Sequence, residues 1–287
     1  IRDFVLATDM TFGITFYSGH VGDAETLIHQ AEVAEFKATG SGPDAYIFDP
    51  ETDEVNPDEL FMITEMRRGL AEDQFMLFYQ PKIDLKTEKI YAVESLIRWR
   101  HPERDMISPA LFIPLAERTG DVSLITQWVL GRALRDAADI SKRGQDIKIA
   151  INLSTLDLVN RDLPRQIAEA LDTAELPPEA LILEITESGL MSDPAVARTL
   201  LTELSRMGIA LSIDDYGTGY SSLAYLKDLP VAELKIDQAF VLNLSTNNED
   251  AMIVRSTIDL GHNLGLKVTA EGIEDEESFR RLQEMGC

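Results

Sequence analysis

The chain has 287 residues, 45% of them hydrophobic, with fifty Asp and Glu against twenty-six Lys and Arg and a formal net charge of −24. This length accommodates one large domain, or one domain with part of another, and the apolar content suffices for a buried core. The charge excludes a nucleic-acid polymer or an anionic membrane surface as partner, no apolar run reaches the ~18 residues of a membrane span, and a lone cysteine, Cys287, excludes an internal disulfide framework.

In chain order, residues 1–58 begin with a strand-like Phe12–Tyr17 and a helix around Asp23–Lys37. Gly40-Ser41-Gly42-Pro43, a short apolar run Ala45–Phe48 and an acidic, proline-containing stretch Asp49–Glu59 follow. This piece reads as the end of a domain whose start lies upstream, joined to the rest by an acidic connector. From residue 59 onward strand and helix patterns alternate. Seven strand candidates fall at 75–83, 90–97, 147–153, 181–186, 209–215, 232–237 and 267–271. Helical periodicity is carried by Val122, Ile125, Val129, Ala133 and Ala137, and again by Val196, Leu200, Leu204 and Met207. The second of these helices has Asp193 as N-cap, Pro194 in its first turn and Gly208 just past its end. A helix–glycine–strand junction recurs at Gly144, Gly208 and Gly265, where glycine suits the left-handed turn that ends a helix. Met285-Gly286-Cys287 has the same form, as though another strand were to begin. The expected fold is α/β: a (β/α)8 TIM-like barrel lacking its last strand through C-terminal truncation, preceded by a small α+β fragment.

The stretches Ile90–Glu94, Ile147–Asn152, Leu181–Glu184, Ile209–Asp215 and Lys267–Glu271 each close on an acidic or amide side chain. Side chains alternate across a strand, so parity tests convergence. Glu94 shares a face with Ala92, Asn152 with Ala150, Glu184 with Ile182, Asp214 with Ser212, Lys235 with Glu233, and Glu271 with Thr269. Asp214 and Asp215 cannot both face inward on a regular strand, so Asp215 is expected as the first loop residue, with Gly217 and Gly219 giving the chain freedom to curl back. Singly, each acid reads as well as a helix cap or a solvated charge, and Lys235 as an exposed strand lysine. Jointly, five carboxylates and an amide would repel one another unless protonated or metal-bound. An oxygen-rich set points to Mg²⁺, Mn²⁺ or Ca²⁺; His20, His29, His101 and His262 are scattered, which argues against zinc. The residues alone leave two chemistries open beside Lys235: phosphoester hydrolysis, or enolisation of a carboxylate substrate.

An ordered motif series narrows this. Tyr79-Gln80-Pro81, Glu94-Ser95-Leu96-Ile97-Arg98-Trp99, Phe112-Ile113-Pro114-Leu115-Ala116-Glu117, Asn152-Leu153-Ser154, Glu184-Ile185-Thr186-Glu187, the run Asp214–Leu223, Leu234-Lys235-Ile236-Asp237 and Ala270-Glu271-Gly272-Ile273-Glu274 occur in sequence. In these residues the chain resembles the EAL family of cyclic di-GMP phosphodiesterases over 59–287. Residues 1–58 resemble the C-terminal end of a GGDEF-type domain, with Ala31–Gly40 matching its last helix. The resemblance implies hydrolysis of cyclic di-GMP to linear pGpG with two Mg²⁺ or Mn²⁺ ions. Glu94, Asn152, Glu184 and Asp214 would hold one ion, and Asp214, Asp215 and Glu271 the other. Lys235 would stabilise developing charge, with the general base left open between Lys235, Glu271 and neither. Arg98 would grip a substrate phosphate and Gln80 would help seat the ligand. Glu187 would brace the Asp214–Leu223 loop, through which a homodimer is expected. The resemblance also implies a bacterial signalling protein with its enzymatic part in the cytoplasm, whatever anchors it upstream. Ser95 stands where the family's name motif has alanine and Tyr216 where phenylalanine is usual. An Asp and a Gln expected soon after Cys287 lie beyond the sequence, which leaves the activity of the chain as given open. The alternative is a non-catalytic cyclic di-GMP receptor; retention of all six proposed ligands and Lys235 favours the enzyme.

Overall fold

The computed structural model describes residues 11–17, 24–41, 45–49, 57–217 and 223–287. The elements are β1 (Phe12–Ile14), α1 (Ala24–Ser41), β2 (Ala45–Ile47), α2 (Pro57–Ala71), β3 (Phe75–Asp84), β4 (Lys89–His101), β5 (Asp105–Ile107), α3 (Pro109–Thr119), α4 (Val122–Lys142) and β6 (Lys148–Leu153). They continue as α5 (Leu163–Ala174), β7 (Leu181–Thr186), α6 (Glu187–Ser192), α7 (Pro194–Arg206), β8 (Ala210–Tyr216), α8 (Leu223–Asp228), β9 (Glu233–Ile236), α9 (Gln238–Val241), α10 (Asn248–Asn263), β10 (Lys267–Ala270) and α11 (Glu276–Met285). All seven strand candidates of residues 75–271 form strands, with ends displaced by no more than a few residues. The three-residue β5 has no sequence signature of its own and was not expected.

Two compact units are present: Ile1–Phe75 with Trp99–Val122, and Met76–Arg98 with Ser123–Cys287. In the first, β1 and β2 pair in parallel with α1 packed on them, burying Val33, Ala34 and Ala38. Its aromatic core stacks Trp99 on Phe75 at 5.1 Å between centroids and sets Phe112 edge-on to Trp99 at 5.6 Å. The indole Nε1 of buried Trp99 donates to Gln74 at 3.1 Å, which satisfies its polar end. Pro109 at the start of α3 and Gly120, left-handed at φ 76, bound that helix.

The second unit is a curled sheet in the order β3-β4-β6-β7-β8-β9-β10, parallel from β4 onward, with helices between strands. This is a TIM-like α/β fold. β3 and β4 form a hairpin closed by Asp84, whose Oδ1 accepts from the backbone of Lys86 and Thr87. β3 and β10 are the two ends of the order and do not pair with each other. Ile149, Ile151, Leu153, Leu181, Leu183 and Ile185 are buried on the face opposite Ala150, Asn152, Ile182 and Glu184, so β6 and β7 read as nearly unbroken apolar runs. The anticipated junctions hold: Gly144, Gly208 and Gly265 have φ of 78°, 97° and 74°. The Asp193 side chain caps α7 by accepting from Val196 N at 3.2 Å. Among the described residues, no helix is long and apolar enough to cross a membrane.

Candidate metal centre

The strand ladder brings the inward-facing residues into layers. Ala92, Ala150 and Ile182 pack as an apolar floor. Next to it the register aligns Asn152 with Glu184, Glu184 with Ser212, and Ser212 with Glu233; beyond, Thr186 aligns with Asp214 and Lys235 with Thr269. Glu94 and Glu184 fall within β4 and β7, where the strand candidates 90–97 and 181–186 put them. One expectation is corrected. Asp215 is not the first loop residue: β8 runs on to Tyr216, and a register shift between Ile213 and Tyr216 marks a bulge in which Asp215 takes a left-handed φ of 53°. A bulge inserts one residue without ending the strand, and aspartate tolerates the left-handed conformation better than most side chains. The bulge therefore admits both aspartates to the same cluster.

Lys235, 1% exposed, is the hub. Its Nζ lies 2.5 Å from Glu184 Oε2, 2.5 Å from Glu271 Oε1, 3.0 Å from Asp214 Oδ1 and 3.2 Å from Glu94 Oε2. Asn152 Nδ2 donates to Glu94 Oε1 at 2.8 Å. Asp215 lies beside Asp214, its backbone N–H donating to Asp214 Oδ1 at 3.0 Å, and hydrogen-bonds through its side chain to Asp237. Two triads emerge, Glu94–Glu184–Asp214 and Asp214–Asp215–Glu271, each offering ligand atoms within 4.8 Å of one another. Asp214 belongs to both.

Electrostatics reports the crowding. Burial, then the neighbouring Asp214, pushes Asp215 up to about 6; burial, with Asp214 and Glu94 adding to it against the pull of Lys235, pushes Glu271 up to about 7. Glu94 is also raised, by burial and by Glu184. Glu184 is affected most by burial, which raises it, yet ends below the usual range because Lys235 and Lys82 together outweigh that cost. Lys235 is disfavoured by burial and nonetheless held well above the ordinary lysine value by Glu184, Asp214, Glu94 and Glu271. Five carboxylates, four of them on one ammonium, form a hard, anionic, oxygen-only donor set, which fits divalent cations of the Mg²⁺, Mn²⁺ and Ca²⁺ type.

The other candidates are not members of these triads. Glu187, 2% exposed, accepts from Gly217 N at 3.0 Å. Arg98 donates through Nη1 to Ile97 O at 2.8 Å and stands over the Phe78 ring at 5.5 Å. Exposed Gln80 shares with Glu94, Lys235 and Glu271 the lining of a crevice of about 750 Å³. Residues 218–222 of the expected dimer loop lie outside the described residues. Two buried partners of the site were not singled out from the sequence: Lys82 and Glu233, 6% and 4% exposed. Parity carried the signal for both, since Lys82 follows Gln80 by two residues on β3 and Glu233 precedes Lys235 by two on β9.

The sequence profile of the EAL domain family matches residues 63–287. The chain is 40% identical over 279 residues to the bifunctional diguanylate cyclase/cyclic di-GMP phosphodiesterase MucR of Pseudomonas aeruginosa, covering 96% of this chain and 41% of MucR. It is 35% identical to the cyclic di-GMP phosphodiesterase NbdA of the same species, over 98% of this chain and 36% of NbdA. It thus spans less than half the length of these relatives. Among solved structures, the PaMucR phosphodiesterase in complex with c-di-GMP superposes with a TM-score of 0.76 at 42% identity, covering 79% of this chain and 92% of that one. The FimX EAL domain of Pseudomonas aeruginosa bound to c-di-GMP follows with a TM-score of 0.73 at 26% identity, over 79% of this chain and 91% of that one.

Proposed function

This chain belongs to the EAL domain family, and from that membership we propose that it is the phosphodiesterase part of a bacterial signalling protein, hydrolysing cyclic di-GMP to linear pGpG. The observation that carries the reading is the convergence of Glu94, Glu184, Asp214, Asp215 and Glu271 from β4, β7, β8 and the end of β10 around Lys235. Glu94, Asn152, Glu184 and Asp214 would hold one divalent cation, and Asp214, Asp215 and Glu271 a second, Mg²⁺ or Mn²⁺ in both cases. When bound, such a pair supplies Lewis-acid stabilisation of phosphoryl oxygens and acidifies water.

The chain's own groups do the rest. Asn152 fixes the Glu94 carboxylate, leaving Oε2 turned toward the cluster. Lys235 brings a fixed positive charge and hydrogen-bond donors to the point where negative charge grows on the phosphorane oxygens. Arg98, held by Ile97 O and Phe78, presents the remainder of its planar fork to a substrate phosphate. Gln80 lines the crevice shared by Glu94, Lys235 and Glu271 and seats the ligand. Glu187 anchors Gly217 and with it the start of the Asp214–Leu223 segment, the proposed homodimer contact. We assign residues 59–287 to this domain and 1–58 to the end of a GGDEF-type domain plus linker, with the cytoplasm as the working compartment.

The test incubates the full-length protein with cyclic di-GMP and Mn²⁺ or Mg²⁺ and follows pGpG by chromatography. Product should form with metal and vanish with EDTA, and Glu94→Gln or Asp214→Asn should each reduce the rate on the order of a hundredfold or more. Saturable binding of cyclic di-GMP by metal-replete protein without pGpG would select the receptor reading instead.

A further inference from the structure

Beneath the carboxylate cluster lies a second buried ion pair that the proposed reaction does not use. Lys82 Nζ is 2.8 Å from Glu184 Oε1 and 2.6 Å from Glu233 Oε1, and Thr269 Oγ1 donates to the same Glu233 oxygen at 2.6 Å. Side chains of Lys82, Glu184 and Glu233 are at most 6% exposed. Burying two charges in the lumen costs several kcal/mol of solvation per ion, and an apolar pair of similar volume would serve packing as well or better. Their geometry explains why a charged pair stands there.

Glu184 is shared between two ammonium groups, one oxygen to each: Oε1 faces down to Lys82 and Oε2 faces up to Lys235 and the cluster. We propose that Lys82 is a positioning residue that clamps Glu184 as a one-oxygen ligand for a divalent cation, and that Glu233 cancels the charge of Lys82 so that the clamp does not repel that cation. The proposal rests on the metal-dependent reading of the site. Without Lys82, Oε1 loses the contact that fixes it and Glu184 is held by Lys235 alone; without Glu233, an uncompensated ammonium stands directly behind a ligand. Thr269 and the register of β9 with β10 hold Glu233 in turn. Buried partners that orient ligand carboxylates in this way are generally worth about ten- to a hundredfold in metal affinity.

The sign of the effect separates positioning from simple charge. Lys82→Met alone removes a positive charge, so Coulomb's law by itself predicts tighter cation binding. The double variant Lys82→Met/Glu233→Gln removes one charge of each sign and leaves the net charge unchanged. In the full-length protein, Mn²⁺ affinity measured by calorimetry and by the electron paramagnetic resonance of free Mn²⁺ should fall about ten- to a hundredfold in the double variant. Lys82→Arg, which keeps both the charge and a donor to Oε1, should stay within a few-fold of wild type. An affinity within twofold of wild type in a folded double variant overturns the proposal. A crystal structure of the wild-type protein with Mn²⁺ decides the matter even if the variants do not fold. Glu184 should ligate through Oε2 alone with Oε1 on Lys82, and ligation through both oxygens overturns the clamp. Wild-type protein that binds no Mn²⁺ would instead remove the metal-dependent reading itself.

Discussion

Two side chains carry more information than their neighbours. Ser95 has a buried hydroxyl with no hydrogen-bond partner among the described residues. It points away from the lumen, opposite Glu94, so the cluster gains nothing from it. Ser95→Ala removes an unsatisfied polar group at almost constant volume and should stabilise the fold by about 1 kcal/mol, seen as a higher denaturant midpoint with an unchanged slope. Lys235 is the opposite case, a buried charge with four partners. Lys235→Ala should slow hydrolysis about 10²–10³-fold while leaving Mn²⁺ affinity equal or higher, because a competing positive charge is gone. Parallel loss of both activity and affinity would deny Lys235 its role at the reacting phosphate. Parity placed Lys235 on an inward face in the sequence, but nothing local revealed four carboxylates around it, since they arrive from β4, β7, β8 and the residue following β10.

At the scale of elements, short-range rules were sufficient where the determining contacts are local. The α7 helix was bounded correctly because its cap, proline and terminal glycine are neighbours in sequence. Asp193→Ala should therefore cost about 1 kcal/mol of stability, measurable by chemical denaturation. Helix α10 shows what such rules miss. At Gly261 an added methyl would lie 2.4 Å from Val268 Cγ2, across the contact between α10 and β10. Gly261→Ala gains helix propensity yet should lose about 1–3 kcal/mol by overpacking, and Val268→Ala in the same chain should restore most of it. If Gly261→Ala alone raised the melting temperature, the close packing of helix on strand would be wrong. The Asp215 bulge belongs to the same class. A regular strand forbids two adjacent inward carboxylates, and only pairing with β9 decides that the strand absorbs an extra residue instead of ending.

For the molecule as a whole, a net charge of −24 and a lumen holding five clustered carboxylates point the same way. Cations that bind only the folded state should stabilise it, by ~2.7 kcal/mol at a hundred times Kd, enough to raise the melting temperature by several degrees. Mn²⁺ or Mg²⁺ at millimolar concentration should do this and EDTA should reverse it. An equivalent ionic strength of KCl, which only screens the surface, should give a smaller rise; an equal rise with KCl would speak against a specific centre. The sequence by itself determined the α/β alternation, the seven strands between residues 75 and 271, the inward parity of Glu94, Glu184, Asp214 and Glu271, and the family, because periodicity, caps and ordered motifs are written along the chain. Tertiary structure alone decided that Asp215 bulges inward and that Lys82 and Glu233 stand beneath the cluster. Each of those depends on register between strands far apart in sequence, which no local pattern encodes.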